Sequence, residues 1–168
     1  MTRQILAIIF TLISIQTFAQ DCEVKKDPFS NKQVVSYKFG KYIVFELKDN
    51  EILLKYHFQF DGEMNSAMQK GSAISFKFEN DEMVELSALE DVNPISQVGG
   101  YVSFALVTTE YIVTMKVTAD QLKTFANFKM THVRYPDLKG DFITKDRSKR
   151  WVKAFSEGAQ CIQSNLSK

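Results

Sequence analysis

The sequence has little of what most catalytic and nucleic-acid-binding proteins depend on. It contains two histidines and two cysteines, and its basic and acidic residues nearly cancel, with a formal net charge of +1. A chain this close to neutral lacks the general electrostatic attraction on which nucleic-acid binding depends. No internal repeat or low-complexity tract is visible, so we expect a single domain and no nucleic-acid partner.

The signatures of common catalytic sites are also missing. No G-x-S-x-G, C-x-x-C or calcium-loop spacing occurs, and Gly99-Gly100 precedes a predicted strand instead of a helix. His57 falls on the polar face of its strand, where we expect a solvent-exposed imidazole, and His132 is expected to be half-buried and hydrogen-bonded. We therefore assign no catalytic residue, metal ligand or cofactor, and leave open whether the protein has any enzymatic activity.

The N-terminus has the three parts of a secretory signal. Arg3 is the only charge, residues 5–15 are largely apolar, and Thr17 and Ala19 are the small residues that precede a cleavage site. The apolar run is too short to span a bilayer, which takes roughly 20 residues, and we expect no transmembrane anchor in the mature chain. The pattern predicts a signal peptide over 1–19, a single domain over 20–168, and a periplasmic or secreted location.

The two cysteines are predicted to pair with each other. Asp21 directly precedes Cys22, and a charged residue at that position argues against lipidation of the cysteine. In an exported chain, an even number of cysteines without metal-site spacing indicates a disulfide. Cys22 and Cys161 would then close nearly the whole mature chain into one loop.

Alternation of apolar and polar residues predicts about eight strands. The clearest pair covers 42–48 and 51–60 and is joined by Asp49-Asn50, whose side chains tolerate positive φ in a hairpin turn. A bend is expected at Thr108–Glu110 between two further strands. The segments 61–71, 88–100 and 135–150 are expected to be loops, where binding surfaces are commonly found.

Two helices are predicted. Thr118 and Gln121 have the spacing of a capping box before a short helix near 119–126. A second, C-terminal helix near 149–166 has an apolar stripe in which Cys161 sits at the edge. Gly158 lies inside this helix at a cost of roughly 1 kcal/mol, which indicates close packing against a strand.

These elements predict a mostly β fold, either an antiparallel sandwich or a barrel. The favoured function is an exported, non-enzymatic binding or interaction domain whose partner is an unidentified protein or glycan. The alternative is a barrel-like carrier of a small apolar ligand. An interior filled by Phe45, Phe58, Phe76 and Phe104 would favour the first, and a continuous internal pocket would favour the second.

One concentration of charge stands out as a possible partner-binding surface. It precedes and enters the C-terminal helix, and its members are Lys145, Arg147, Lys149, Arg150 and Lys153. Cations at the start of a helix face the positive end of the helix dipole, so they do not stabilise the helix. An acidic partner, a lipid head group or a polyanionic glycan would suit this run, and a solvated helix face is the alternative.

Overall fold

The computed structural model describes residues 22–101, 104–136 and 142–166, so the predicted signal peptide lies outside the described residues. The described strands form two antiparallel sheets, of six and four strands, that pack as a sandwich and not as a closed barrel. This confirms the predicted mostly β fold. The elements in chain order are β1 (Cys22–Lys26), β2 (Gln33–Phe39), β3 (Ile43–Lys48), β4 (Glu51–Asp61), β5 (Ala73–Phe78), β6 (Met83–Ser87), β7 (Ile95–Tyr101), β8 (Phe104–Val117), α1 (Ala119–Asn127), β9 (Met130–Pro136), β10 (Phe142–Asp146) and α2 (Lys149–Gln163).

The larger sheet has the order β1-β2-β3-β4-β8-β7, and the smaller one β10-β9-β5-β6. The turn between β3 and β4 is the predicted one, with φ of 52° at Asp49 and 62° at Asn50. Positive φ at both central residues matches the right-handed twist of a hairpin. β4 and β8 form the long central pair of the larger sheet, in register from Ile52↔Val117 to Asp61↔Thr108.

The expected bend at Thr108–Glu110 is wrong, because β8 runs through it without interruption. Polar side chains are tolerated there because they have partners. Thr109 is fully buried; its Oγ1 donates to the carbonyl of Gly62 and accepts from the backbone N–H of Met64. A buried hydroxyl that is hydrogen-bonded in this way does not break the strand.

The described part of the chain contains ten strands where about eight are predicted. Seven of them contain the predicted strand runs, and the other three, β1, β7 and β10, lie at sheet edges. β7 lies in the segment 88–100 and β10 in the segment 135–150, both of which were predicted to be loops. β1 is exposed along its whole length, so its sequence carries no alternation.

Both helices form where the sequence places them. Thr118 and Gln121 make the predicted capping box, in which each side chain bonds to the other residue's backbone N–H. α2 begins after Ser148, whose side chain accepts from the N–H of Trp151. It ends at Gln163, a few residues before the predicted end.

Aromatic side chains fill the space between the sheets and helices. Phe45, Phe76, Phe125 and Phe155 contact one another, with ring centroids 5.0–6.3 Å apart. A second group contacts Phe58 and consists of Tyr56, Phe60, Tyr111 and Tyr135. The side chain of Phe104 lies outside the described ones. The other three phenylalanines predicted to fill the interior are buried, and the core around them is packed; they are Phe45, Phe58 and Phe76.

The predicted disulfide is present. Cys22 of β1 and Cys161 of α2 are bonded, across a sequence separation of 139 residues. The bond attaches an exposed edge strand to a helix that packs against β2 and β3. Among the helices that the structure describes, none is long and apolar enough to cross a membrane.

Candidate functional site

A cleft opens where an edge of one sheet faces an edge of the other. β3 begins at Ile43, which lies opposite Tyr56, whereas β4 continues beyond Tyr56 to Asp61. Beyond this point the side of β4 that faces away from β8 is open among the described residues. β10, the edge strand of the smaller sheet, and the start of α2 form the opposite wall. The space between them is about 300 Å³, at the lower end of the range for small-ligand sites.

The cleft has an aromatic part and a polar part. The aromatic side chains that line it are Tyr42, Phe58, Tyr135 and Trp151. The polar side chains that line it are His57, Gln59, Lys145 and Arg147. These eight residues come from β4, β9, β10, the turn before β3, the link between β10 and α2, and the start of α2.

Lys145 lies on the face of β10 that turns toward the inside of the sandwich, with its side chain still exposed at the sheet edge. It pairs across the ladder with Val133, which is fully buried, so both side chains are on the inner face. The next pair, Asp146 and His132, is on the outer face, where Asp146 Oδ1 lies 2.9 Å from His132 Nε2. His132 is half exposed and also bonds to Thr131, as expected. β10 thus places a lysine beside the cleft and the contact between Asp146 and His132 on the outer face.

Arg147 is held against the aromatic wall. Its guanidinium lies 4.6 Å from the centroid of the Trp151 ring and 5.6 Å from that of Tyr56. A terminal N–H donates to the hydroxyl of Tyr56. Burial raises the pKa of Tyr56, so its hydroxyl stays neutral and does not neutralise the arginine. Arg147 therefore keeps a full positive charge in a fixed orientation.

The prediction of a solvent-exposed His57 is wrong, since its side chain is 1% exposed. The ring of Tyr42 stacks on it, with centroids 5.3 Å apart and planes 11° apart. Glu110, directly across the sheet from Gln59, places its Oε2 3.2 Å from His57 Nε2 while its Oε1 accepts from Lys41 at 2.7 Å. The alternation pattern put His57 on the outer face correctly but could not show that Tyr42 covers that face.

The contacts around His57 determine its charge. Burial lowers the pKa of the imidazole, while the nearby Glu110 carboxylate acts in the opposite direction. The hydrogen bond from Lys41 lowers the pKa of Glu110. At neutral pH the group consists of a neutral imidazole, a carboxylate and an ammonium, so the acidic charge beside the cleft is already paired.

The predicted basic run divides into two parts. Lys145 and Arg147 line the cleft, and no carboxylate among the described residues lies within ion-pair distance of either. The other three, Lys149, Arg150 and Lys153, are exposed on α2 and are not among the cleft residues. Arg150 covers the ring of Phe39, and Lys153 lies 3.5 Å from Glu157. The two cleft residues are thus the part of the run that the fold builds into a concave site.

A larger cleft, of about 410 Å³, lies beside the β3–β4 turn and the end of α2. Among the described residues that line it, the one cation is Lys32, whose Nζ is 2.6 Å from Oδ1 of Asp49. Because this charge is already paired, the larger cleft offers less to a charged ligand than the cleft at Lys145 and Arg147.

The other cleft residues carry no local sequence signal. Tyr42, Gln59, Tyr135 and Trp151 resemble ordinary strand or helix residues, and only the sheet pairing brings them together. Within the described ranges, no group of three or more histidine, cysteine, aspartate or glutamate side chains could hold a metal ion. No protein-family model, curated protein or solved structure matches this chain.

Proposed function

We propose that this protein is an exported, non-enzymatic binding domain that holds an acidic group of a protein or glycan partner in the cleft at Lys145 and Arg147. The observation that carries the proposal is the pair of cations facing one concave site without a carboxylate partner among the described residues. Lys145 is exposed and Arg147 is partly buried, and a carboxylate is the natural hydrogen-bonding counterpart of either cation. The unmatched charge favours an anionic ligand.

Two observations support an exported location, in the periplasm or outside the cell. The Cys22–Cys161 disulfide requires an oxidising compartment to persist. The first 19 residues also have the composition of a cleaved secretory signal. Export would expose the cleft to envelope or extracellular partners.

The carrier of a small apolar ligand is the alternative function, and the structure gives it less support. The aromatic side chains around Phe45, Phe58 and Phe76 contact one another throughout the interior. The larger and smaller sheets remain two separate sheets. The candidate site is an open cleft with charged residues, whereas an apolar ligand favours an enclosed apolar cavity.

The proposal predicts that the disulfide-bonded protein binds acidic polymers through the cleft. Poly-glutamate and polygalacturonate serve as probes, with neutral dextran as the uncharged comparison, and binding is measured by calorimetry at low and at physiological salt. We expect both acidic probes to bind and dextran not to bind. The substitution Lys145→Glu should weaken binding about tenfold or more, because it replaces an ionic hydrogen bond with a repulsion.

Lys26→Glu is the matched control. Lys26 is exposed on β1, opposite Gln33, at the end of that strand farthest from the cleft. The substitution Lys26→Glu changes the net charge by the same amount as Lys145→Glu. Because Lys26 lies away from the cleft, this variant should bind the probes nearly as well as the unchanged protein. Equal losses in the two variants would mean that overall charge, and not the cleft, attracts the probes, and the proposal would be wrong.

A further inference from the structure

We propose that the cleft binds the C-terminal end of an extended peptide, which adds a strand to the open edge of β4 and places its terminal carboxylate against Lys145 and Arg147. This inference rests on the proposed function and names the ligand of the same site. Three features of the cleft lead to it: the backbone of β4, the position at which β3 begins, and the pair of cations.

The open edge of β4 presents backbone groups to the cleft that have no partner among the described residues. The N–H of His57 donates to the carbonyl of Tyr42 at 2.9 Å, so the backbone N–H and C=O of His57 point toward the β3 side of β4. Because the direction of these backbone groups alternates along a strand, those of Gln59 and Asp61 point to the same side. The N–H of Gly62 bonds instead to Val107 of β8, in agreement with this alternation. No described strand lies against Gln59 and Asp61 on that side, and an added peptide strand would satisfy them.

The beginning of β3 limits the length of that peptide. A peptide antiparallel to β4 would run in the direction of β3 and in line with it. Tyr42 occupies the next position, so the added strand must end there, after roughly four residues opposite 58–61. A strand that ends at this point brings its C-terminus to Tyr42 and Trp151, whose ring centroids are 6.0 Å apart.

Arg147 contacts the same Trp151 ring, and Lys145 faces the same cleft. Together they place two positive charges at the position where an antiparallel peptide would place its negatively charged terminal carboxylate. A parallel peptide would bring its amino terminus to the same place, which the two cations would repel. Charge and strand direction therefore favour the same occupant.

An acidic sugar suits the cleft less well than a peptide. Sugars pack on open aromatic faces, but one face of Tyr42 is stacked on His57 and one face of Trp151 is covered by Arg147. Tyr135 is buried, with its ring stacked 4.6 Å from Phe58. Tyr42 remains 39% exposed on its other side, but among the described groups of the cleft those without a partner are the backbone N–H groups of Gln59 and Asp61 and the ammonium of Lys145.

The inward position of Lys145 has one competing explanation. An inward-pointing charge on an edge strand discourages other strands from pairing there. A lysine with that role would not distinguish a peptide with a free terminal carboxylate from an amidated one. Its removal would increase aggregation without changing the preference for a terminal carboxylate. The two roles can therefore be separated by experiment.

The test uses an immobilised library of four-residue C-terminal sequences, prepared once with free carboxylates and once as amides. The disulfide-bonded protein should bind a subset of the free acids, and amidation should weaken binding about tenfold or more. Hydrogen exchange at the amides of Gln59 and Asp61 should slow when the best free-acid peptide binds, because these groups become hydrogen-bonded.

Two substitutions separate the backbone from the charge. Gln59→Pro removes an N–H that faces the open edge and no bond to β8, and proline is tolerated at such edge positions. It should abolish peptide binding, whereas Gln59→Ala, which keeps the N–H, should not. Lys145→Glu should weaken binding about tenfold or more, and Lys26→Glu should leave it unchanged. The hydrogen-exchange readout on the unchanged protein covers the case in which Gln59→Pro does not fold.

Each other outcome has a defined meaning. Binding of amides as tight as that of acids, or unchanged exchange at Gln59 and Asp61, would overturn the inference. If Lys145→Glu aggregates yet retains the preference for free acids, the lysine protects the edge and the inference is wrong. If polygalacturonate binds through Lys145 and no peptide does, the inference fails while the proposed function stands. If no acidic probe of either kind binds, both fail.

Discussion

His57 is held neutral by its surroundings although it lies between a carboxylate and a stacked phenol. Tyr42 excludes water from the ring, and Nε2 is 3.2 Å from Glu110 Oε2. Lys41 satisfies the same carboxylate through its other oxygen. Among the described groups, neither ring nitrogen of His57 makes a hydrogen bond of good geometry, and the contact of Nε2 with Glu110 is electrostatic. The imidazole is therefore a buried base whose protonation would disturb one side of the cleft.

This arrangement predicts that the protein loses stability as the pH falls below the ordinary histidine pKa of 6.5. Because burial lowers the pKa in the folded state, the unfolded chain takes up a proton first, and the free energy of unfolding decreases. One histidine can lower the free energy of unfolding by at most about 1.4 kcal/mol per pH unit. Urea titrations at pH 7.5, 6.5 and 5.5 measure it.

His57→Gln provides the comparison, since glutamine does not titrate in this range. The variant should lose less stability than the unchanged protein between pH 7.5 and 5.5. The lowered pKa of Glu110 acts only at more acidic pH, below its ordinary value of 4.5. An identical pH dependence in both proteins would show that another group causes it.

At the scale of elements, the contact between α2 and the larger sheet depends on the absence of one side chain. A Cβ added at Gly158 would lie 2.6 Å from Phe45 Cδ2 and 2.7 Å from Tyr37 Cδ1. Both rings are fully buried and contact other core residues, so they have little room to move. The glycine lets the helix approach β2 and β3 closely despite its low helix propensity.

Gly158→Ala is therefore expected to destabilise the protein by about 1–3 kcal/mol, as overpacked cores do. This cost should exceed the gain in helix propensity of roughly 1 kcal/mol. Thermal unfolding or urea titration measures the change.

Gly99→Ala is the matched control, because a Cβ at Gly99 meets nothing within 4 Å and that glycine has no positive φ. It should change stability by less than about 0.5 kcal/mol. If Gly158→Ala were stabilising, the helix would have to shift without cost, and the close approach would not be a requirement of the fold.

The strands that sequence reasoning missed share one property, which is their position at a sheet edge. Alternation is visible in β4 because one of its faces is buried, whereas β1 is exposed on every residue and β7 exposes Ile95 and Val98. An edge strand is formed by backbone pairing more than by side-chain burial, so its sequence contains little information about it. The central strands, both helices and the disulfide were predictable because burial, capping and cysteine pairing each leave a local signature.

The candidate site was predictable only in part for a related reason. The charge run pointed to Lys145 and Arg147 but gave no means to separate them from the three cations on α2. That separation depends on the pairing of Lys145 with Val133, which sets the face on which the lysine lies. Tyr42 joins the site because β3 begins opposite Tyr56 while β4 continues beyond it. Strand register is a long-range property, and a single sequence does not specify it.

At the scale of the whole molecule, the disulfide attaches β1 to the rest of the fold. β1 contributes no buried side chain. It is paired with β2 and otherwise makes only a few contacts, with α2. Replacing both Cys22 and Cys161 by serine is expected to cost about 2–5 kcal/mol, since the cross-link restricts the unfolded chain. Urea titration measures this loss, and the reduced unchanged protein should match the double variant.

The loss should also appear locally, as faster hydrogen exchange in β1 than in β4. β4 is paired on both sides over most of its length and has a buried face. Uniformly faster exchange in all strands would contradict this, because it would mean that β1 is an integral part of the cooperative unit.

The same bond decides how the molecule responds to mechanical force. When the protein is pulled by its two ends, tension passes from Cys22 to Cys161 through the sulfur atoms, and the 139-residue loop between them is not stretched. The sandwich would therefore remain folded under a load that breaks no covalent bond. After reduction, the same pull should release a length of roughly 480 Å, as expected for 139 extended residues.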